Sequence, residues 1–141
     1  MRTDQPAPPL LIDRLLVLAF GIYQALHVVV NGRYMFGEGL AAFPPPPGGW
    51  NQQTIEWARG MAICDWVVAV ASVLFAIACW RRRRWSLRLG IVTTTAFVFT
   101  TGVFAIAVGA TGAWSENPGF YTFIIVTSLP GLWLWGRLLR D

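Results

Sequence analysis

Four apolar segments, separated by polar and turn-forming residues, account for most of the sequence. They cover about residues 10–31, 60–80, 89–109 and 119–136. A helix needs about 20 mostly apolar residues to cross the hydrocarbon core of a bilayer. The pattern therefore predicts an all-α integral membrane protein in which four transmembrane helices form one domain over residues 1–141.

The connections between these segments differ in length. Residues 32–59 form a long connection that contains GEGLAAFPPPPGGW, and its four consecutive prolines favour an extended backbone ended by a Gly-Gly turn. The following NQQTIEW has a helical pattern that would begin near Asn51 as a cap. The other connections are short, which favours an up-down-up-down bundle. The long connection is either a solvated loop or a lid or docking surface over the bundle.

Composition supports a membrane protein rather than a soluble one. Of 141 residues, 55% are hydrophobic and 13% are charged, and the mean hydropathy is +0.52. Soluble domains have about 25% charged residues. The two cysteines, Cys64 and Cys79, lie on one predicted helix, too far apart for a disulfide.

The distribution of arginine predicts the orientation. Most of the eleven basic residues lie in three places: before the first segment, in the 81–88 connection and in the C-terminal region. Both termini are therefore expected in the cytoplasm. We expect the protein in the inner (plasma) membrane of a bacterial cell. We expect the arginine cluster between the second and third segments to contact anionic lipid head groups rather than nucleic acid. This cluster consists of Arg81, Arg82, Arg83 and Arg84.

A polar stripe interrupts the first apolar segment. Gln24, His27 and Asn31 are spaced three and four residues apart and so share one helical face. Asp65, on the second segment, is predicted at a depth between His27 and Asn31, which makes a hydrogen bond from Asp65 to either residue plausible. Two interpretations remain open: the polar groups fix the packing of two helices, or they form a proton-linked or ligand-binding site.

These residues define a candidate ligand site. We expect an outward-facing intramembrane pocket. Thr100 and Thr101 of the third segment either serve only in helix packing or line the same pocket. The tryptophans are interpreted as membrane-interface anchors. The predicted ligand-binding residues are Gln24, His27, Asn31, Asp65 and Tyr121.

The leading functional hypothesis is non-enzymatic: a small membrane protein that binds a hydrophobic or amphipathic ligand or helps to move it. The alternative is an accessory subunit of a larger membrane complex, and an enzyme acting on a lipid or quinone is the third hypothesis. No catalytic residue, metal site or cofactor is predicted, because no ligand spacing is present and haem would have to use the single histidine, His27. Membrane lipids, a second copy of the chain or a larger complex are the expected partners.

Overall fold

A computed structural model describes residues 11–38 and 43–140, without the side chains of residues 11–13 and 37–38. Expectations that involve residues 1–10, 39–42 and 141 lie outside these described residues. Within them the protein is helical and contains no β-strand. The elements are α1 (Leu11–Arg33), a π-helical turn (Tyr34–Glu38), α2 (Gln52–Trp80), α3 (Ser86–Ala110), the short α4 (Ala113–Glu116) and α5 (Pro118–Leu138).

Four of these helices, α1, α2, α3 and α5, are long and apolar enough to cross a membrane, which confirms this part of the prediction. Helix α2 begins at Gln52 and so extends beyond the predicted apolar span of residues 60–80. As the sequence predicts, Asn51 caps it: the side-chain oxygen accepts a hydrogen bond from the backbone N–H of Thr54 at 2.8 Å. Much of the predicted 32–59 connection is therefore helical, and within its described part only residues 43–51 are not.

The four long helices form a bundle. Helix α1 packs against α2 and α5, and α3 packs against the same two helices, so each long helix has two long neighbours. The short α4 follows a turn at Gly112, where φ is +77°, a backbone conformation that glycine adopts without steric cost. It leads directly into α5.

One half of the bundle has a closely packed aromatic core. Phe20, Phe75 and Phe97 are buried there, with Val17 and Leu134. The rings of Phe20 and Phe97 meet edge to face, with centroids 5.2 Å apart. Glycine makes this packing possible, because a Cβ atom at Gly131 would collide with Phe97 and crowd Phe20, and one at Gly90 would collide with Phe75.

The outer surface of the bundle is apolar, whereas the interior contains polar side chains. Large exposed hydrophobic residues occur on every long helix, for example Ile22, Val67, Ile106 and Phe123. Buried polar residues lie between the helices; they are Gln24, Ser72, Thr93, Thr94, Thr100 and Ser128. A protein surrounded by lipid can expose apolar side chains without the cost that water would impose. The structure is that of a multi-pass membrane protein.

Candidate functional site

The other half of the bundle contains a cavity of about 350 Å³. Its walls come from the second half of α1, the first half of α2, the second half of α3 and the first half of α5. Residues 43–50, which we call the proline strap, contribute Phe43 and Trp50 to the same wall. The volume lies near the lower end of the range found for small-molecule sites, about 300–1,000 Å³.

Small side chains also line the cavity. Ala58 and Ala62 line it from α2, Ala107 lines it from α3, and Thr111 lines it from the residue that follows α3. The bundle is thus closed by aromatic packing at one end and open at the other.

Nine of the 24 residues that line the cavity are phenylalanine, tyrosine or tryptophan. Trp50, Trp57, Phe104, Phe120 and Tyr121 line it. Several of these rings contact one another: Phe104 and Tyr121 have centroids 6.4 Å apart, and Phe120 and Tyr121 have centroids 5.3 Å apart. Such a wall offers a large apolar surface with few hydrogen-bonding groups, which suits a hydrophobic ligand.

At its inner end the cavity meets a cluster of polar side chains, which we call the polar base: His27, Asn31, Asp65 and Thr100. The Asn31 amide donates a hydrogen bond to Oδ2 of Asp65 at 2.6 Å, and Nδ1 of His27 lies 3.2 Å from the same oxygen. The Thr100 hydroxyl lies 3.1 Å from Oδ1 of Asp65 and also 3.1 Å from the carbonyl of Phe97. Asp65 therefore joins α2 to α1 and α3.

This arrangement compensates for placing a carboxylate among apolar helices. An unpaired carboxylate would be costly there, whereas hydrogen-bond donors on both oxygens offset the loss of water. The side chain of Asp65 is 19% exposed and that of His27 is 28% exposed, so both reach the cavity. With Nδ1 of His27 directed at Asp65, Nε2 is the ring nitrogen left for a ligand.

The aromatic ring of Tyr23 fixes the histidine from the other side. Its centroid lies 4.3 Å from that of His27, and it meets the buried Phe97 edge to face at 5.8 Å. The imidazole is therefore held between a carboxylate and a phenol ring that itself rests on the closed half. A side chain held in one orientation by its neighbours is pre-organised for binding.

The proline strap covers the cavity at the end away from Phe20 and Phe75. The Tyr121 hydroxyl donates to the carbonyl of Pro44 at 2.6 Å, and the Asn117 amide donates to the carbonyl of Pro45 at 3.4 Å. Within the strap, Nε1 of Trp50 donates to the carbonyl of Phe43 at 3.3 Å. These bonds hold the strap against α5.

Four of the five predicted site residues, His27, Asn31, Asp65 and Tyr121, line the cavity. His27, Asn31 and Asp65 are in direct contact, whereas Tyr121 lies in the wall and binds the strap. Gln24, the fifth predicted residue, is placed differently from these four. Gln24 is 0% exposed and does not line the cavity, because it is one turn further from the strap than His27, where the helices close together.

Sequence reasoning missed other lining residues. Thr100 and Thr101, considered only as an alternative, both line the cavity, and Thr100 also contacts Asp65. Trp50 and Trp57, interpreted as membrane anchors, line it as well. The spacing of Thr54, Trp57, Met61 and Asp65 places them along one face of α2, and this signal is visible in the sequence.

Within residues 11–38 and 43–140, no group of three or more histidine, cysteine or acidic side chains is arranged to hold a metal ion. Cys64 and Cys79 do not form a disulfide. Comparison of the chain with protein-family models, with curated proteins and with solved structures gave no match.

Proposed function

We propose that this protein binds a hydrophobic or amphipathic ligand in the cavity between its helices, or helps to move such a ligand. The observation that supports this most directly is the combination of an aromatic wall with one polar end. A ligand with an apolar body would occupy the wall, and a polar head would reach Nε2 of His27 and the carboxylate of Asp65. The ligand-binding residues proposed here are His27, Asn31, Asp65 and Tyr121, with Thr100.

In this proposal the four spans run up-down-up-down in the bacterial inner membrane, and both termini are cytoplasmic. The excess of arginine in the 81–88 connection and near the C-terminus supports this orientation through the positive-inside rule. The cavity would then occupy the outer half of the membrane, beneath the proline strap. A ligand would enter from the outer leaflet or from the space outside the membrane.

The alternative, an accessory subunit that packs against a larger complex, predicts an interior filled with side chains. The cavity beside Asp65 and His27 therefore favours ligand binding over a purely packing role. Purification in mild detergent separates the two: a stoichiometric partner protein would support the accessory role, and a bound small hydrophobic molecule would support the cavity.

Binding can be tested with an apolar dye whose fluorescence changes when it enters the cavity. Hydrophobic molecules extracted from the purified protein are then added, and displacement of the dye is measured. Ala107→Phe places a ring in the cavity and should abolish dye binding. The control, Ala110→Phe, adds the same ring to an exposed position of α3 that does not line the cavity, and it should bind as the unmodified protein does.

The polar end has its own test in the same assay. Asp65→Asn and His27→Ala should each lower the affinity for the displacing molecule by about tenfold. This corresponds to the loss of roughly one charge-assisted hydrogen bond. Thr122→Val, on an exposed part of α5 outside the cavity, is the matched control. Unchanged affinity in both Asp65→Asn and His27→Ala would show that the polar base is only a packing element.

A further inference from the structure

A second, smaller cleft lies beside the closed half of the bundle, away from the cavity. It has a volume of about 160 Å³ and is lined by Arg14, Val17, Cys79, Trp80 and Arg82. We call it the arginine cleft. Two of its five residues are arginines from different elements, one in α1 and one in the turn after α2. It shares no lining residue with the cavity.

The backbone at Arg82 is unusual. Helix α2 ends in a Schellman motif: the N–H of Arg83 donates to the carbonyl of Ala78 at 2.9 Å, and the N–H of Arg82 donates to the carbonyl of Cys79 at 3.0 Å. This motif requires a left-handed residue after the cap residue Arg81, a position that glycine usually occupies. Here the position is Arg82, with φ of +53°, the one residue other than glycine in the described chain with positive φ.

An arginine in a glycine position has a conformational cost and no benefit to the helix end, because the motif's hydrogen bonds use only the backbone. A gain from the side chain would explain its presence. With this backbone conformation, Arg82 lines the same cleft as Arg14. Neither guanidinium forms an ion pair with a carboxylate of the described residues.

The surroundings of the cleft indicate an occupant from the membrane. Trp80 is 67% exposed and Trp85, in the same turn, is 53% exposed, as expected of side chains at a membrane–water boundary. Leu18 of α1 and Ile77 of α2 are also exposed, and each lies within one helical turn of a residue that lines the cleft. Guanidinium groups suit phosphate oxygens, and nearby exposed apolar side chains suit acyl chains.

We propose that the arginine cleft binds the phosphodiester head group of one anionic phospholipid, with Arg14 and Arg82 as its two ligands. Arg81, Arg83 and Arg84 add long-range attraction but do not line the cleft. The site is independent of the ligand cavity, and neither proposal requires the other.

Native mass spectrometry of the full-length protein with added lipid tests this proposal. Phosphatidylglycerol should give a saturable 1:1 adduct, and phosphatidylcholine with the same acyl chains should bind at least about tenfold more weakly. Arg82→Gly and Arg14→Gln should each reduce phosphatidylglycerol affinity by about tenfold. Arg83→Gly removes the same charge from the neighbouring position and should have a much smaller effect.

Thermal unfolding in phosphatidylcholine tests whether each of these variants is folded. Arg82→Gly should be as stable as the unmodified protein or more stable, because glycine adopts the left-handed conformation without strain. Three results would overturn the proposal: equal loss of affinity in Arg83→Gly, equal binding of both lipids, or displacement of the lipid by millimolar inorganic phosphate. The last would indicate a site for free phosphate rather than for lipid.

Discussion

The amide of Asn31 donates a hydrogen bond to Oδ2 of Asp65 over 2.6 Å, and these residues, on α1 and α2, are 34 positions apart in the chain. The contact orients the carboxylate so that His27 reaches the same oxygen and Thr100 reaches the other. One acidic side chain thus organises a polar cluster shared by three helices, at the point where the closed half of the bundle meets the cavity.

The Asn31–Asp65 contact should be measurable as a coupling energy. In a double-mutant cycle with Asn31→Ala and Asp65→Ala, we expect about 0.6–2 kcal/mol, the range of interhelical polar contacts in membranes. The measurement is reversible unfolding in mixed micelles. A parallel cycle that pairs Asn31→Ala with Thr122→Ala, which is exposed on α5, should give a value near zero. A coupling near zero in the first cycle would contradict the observed contact.

Two adjacent threonines allow the role of the α3 contact to be isolated. Thr100→Val removes the hydroxyl that contacts Asp65 and should lower the free energy of unfolding by about 0.5–1.5 kcal/mol, the net value of one hydrogen bond. Thr101→Val removes a hydroxyl that lines the cavity but has no contact with Asp65. It should change stability less than Thr100→Val does. Equal effects would show that the Thr100–Asp65 contact contributes nothing specific.

The proline strap should loosen when its bond to α5 is removed. Tyr121→Phe deletes the hydroxyl that donates to the Pro44 carbonyl, and hydrogen–deuterium exchange of the 43–51 peptide should accelerate about two- to tenfold. Tyr34→Phe is the control, because it deletes a bond of similar length, 2.9 Å to the Ile55 carbonyl, outside the strap. An unchanged exchange rate in Tyr121→Phe would mean that ring packing alone holds the strap.

Gln24 should be a position at which an apolar residue stabilises the protein. Its side-chain nitrogen and oxygen are buried without a hydrogen-bond partner, as is the hydroxyl of Ser72 on the neighbouring helix. Unpaired buried polar groups cost about 1–3 kcal/mol, so Gln24→Met, of similar volume, should raise the melting temperature. Gln24→Ala removes the same groups but leaves a void, and it should be less stable than Gln24→Met. A lower melting temperature for Gln24→Met would indicate a bound water between the helices.

Substitution by alanine should affect stability differently at two glycines of α5. Gly131→Ala places a methyl group against the rings of Phe97 and Phe20 and should destabilise the bundle, because a packed aromatic core does not accommodate added volume. Gly136 has open space around it, so Gly136→Ala should be neutral or stabilising by up to about 1 kcal/mol through helix propensity. Thermal unfolding of both variants in the same detergent makes the comparison. Similar effects would contradict close packing at Gly131.

The sequence by itself determined the four apolar helices, the Asn51 cap of α2 and the proximity of His27, Asn31 and Asp65. These features follow from local rules: the length of apolar runs, the chemistry of helix ends and the rise of a helix per residue. Depth along two neighbouring helices can be estimated from residue counts alone, and for this reason the Asp65 contact was predictable.

Only the tertiary structure decided how the helices rotate about their axes and how far apart they lie. Gln24 shares a helical face with His27, yet it is enclosed where α1 meets its neighbours, while His27 reaches a cavity. Trp57 lines that cavity, although its residue type and its position in the sequence suggest only a membrane anchor. Similarly, the pairing of Arg14 with Arg82 in one cleft depends on a left-handed turn that no periodicity indicates. Apolar side chains occur both inside and outside a membrane protein, so hydrophobicity does not show which face of each helix turns inward; packing does.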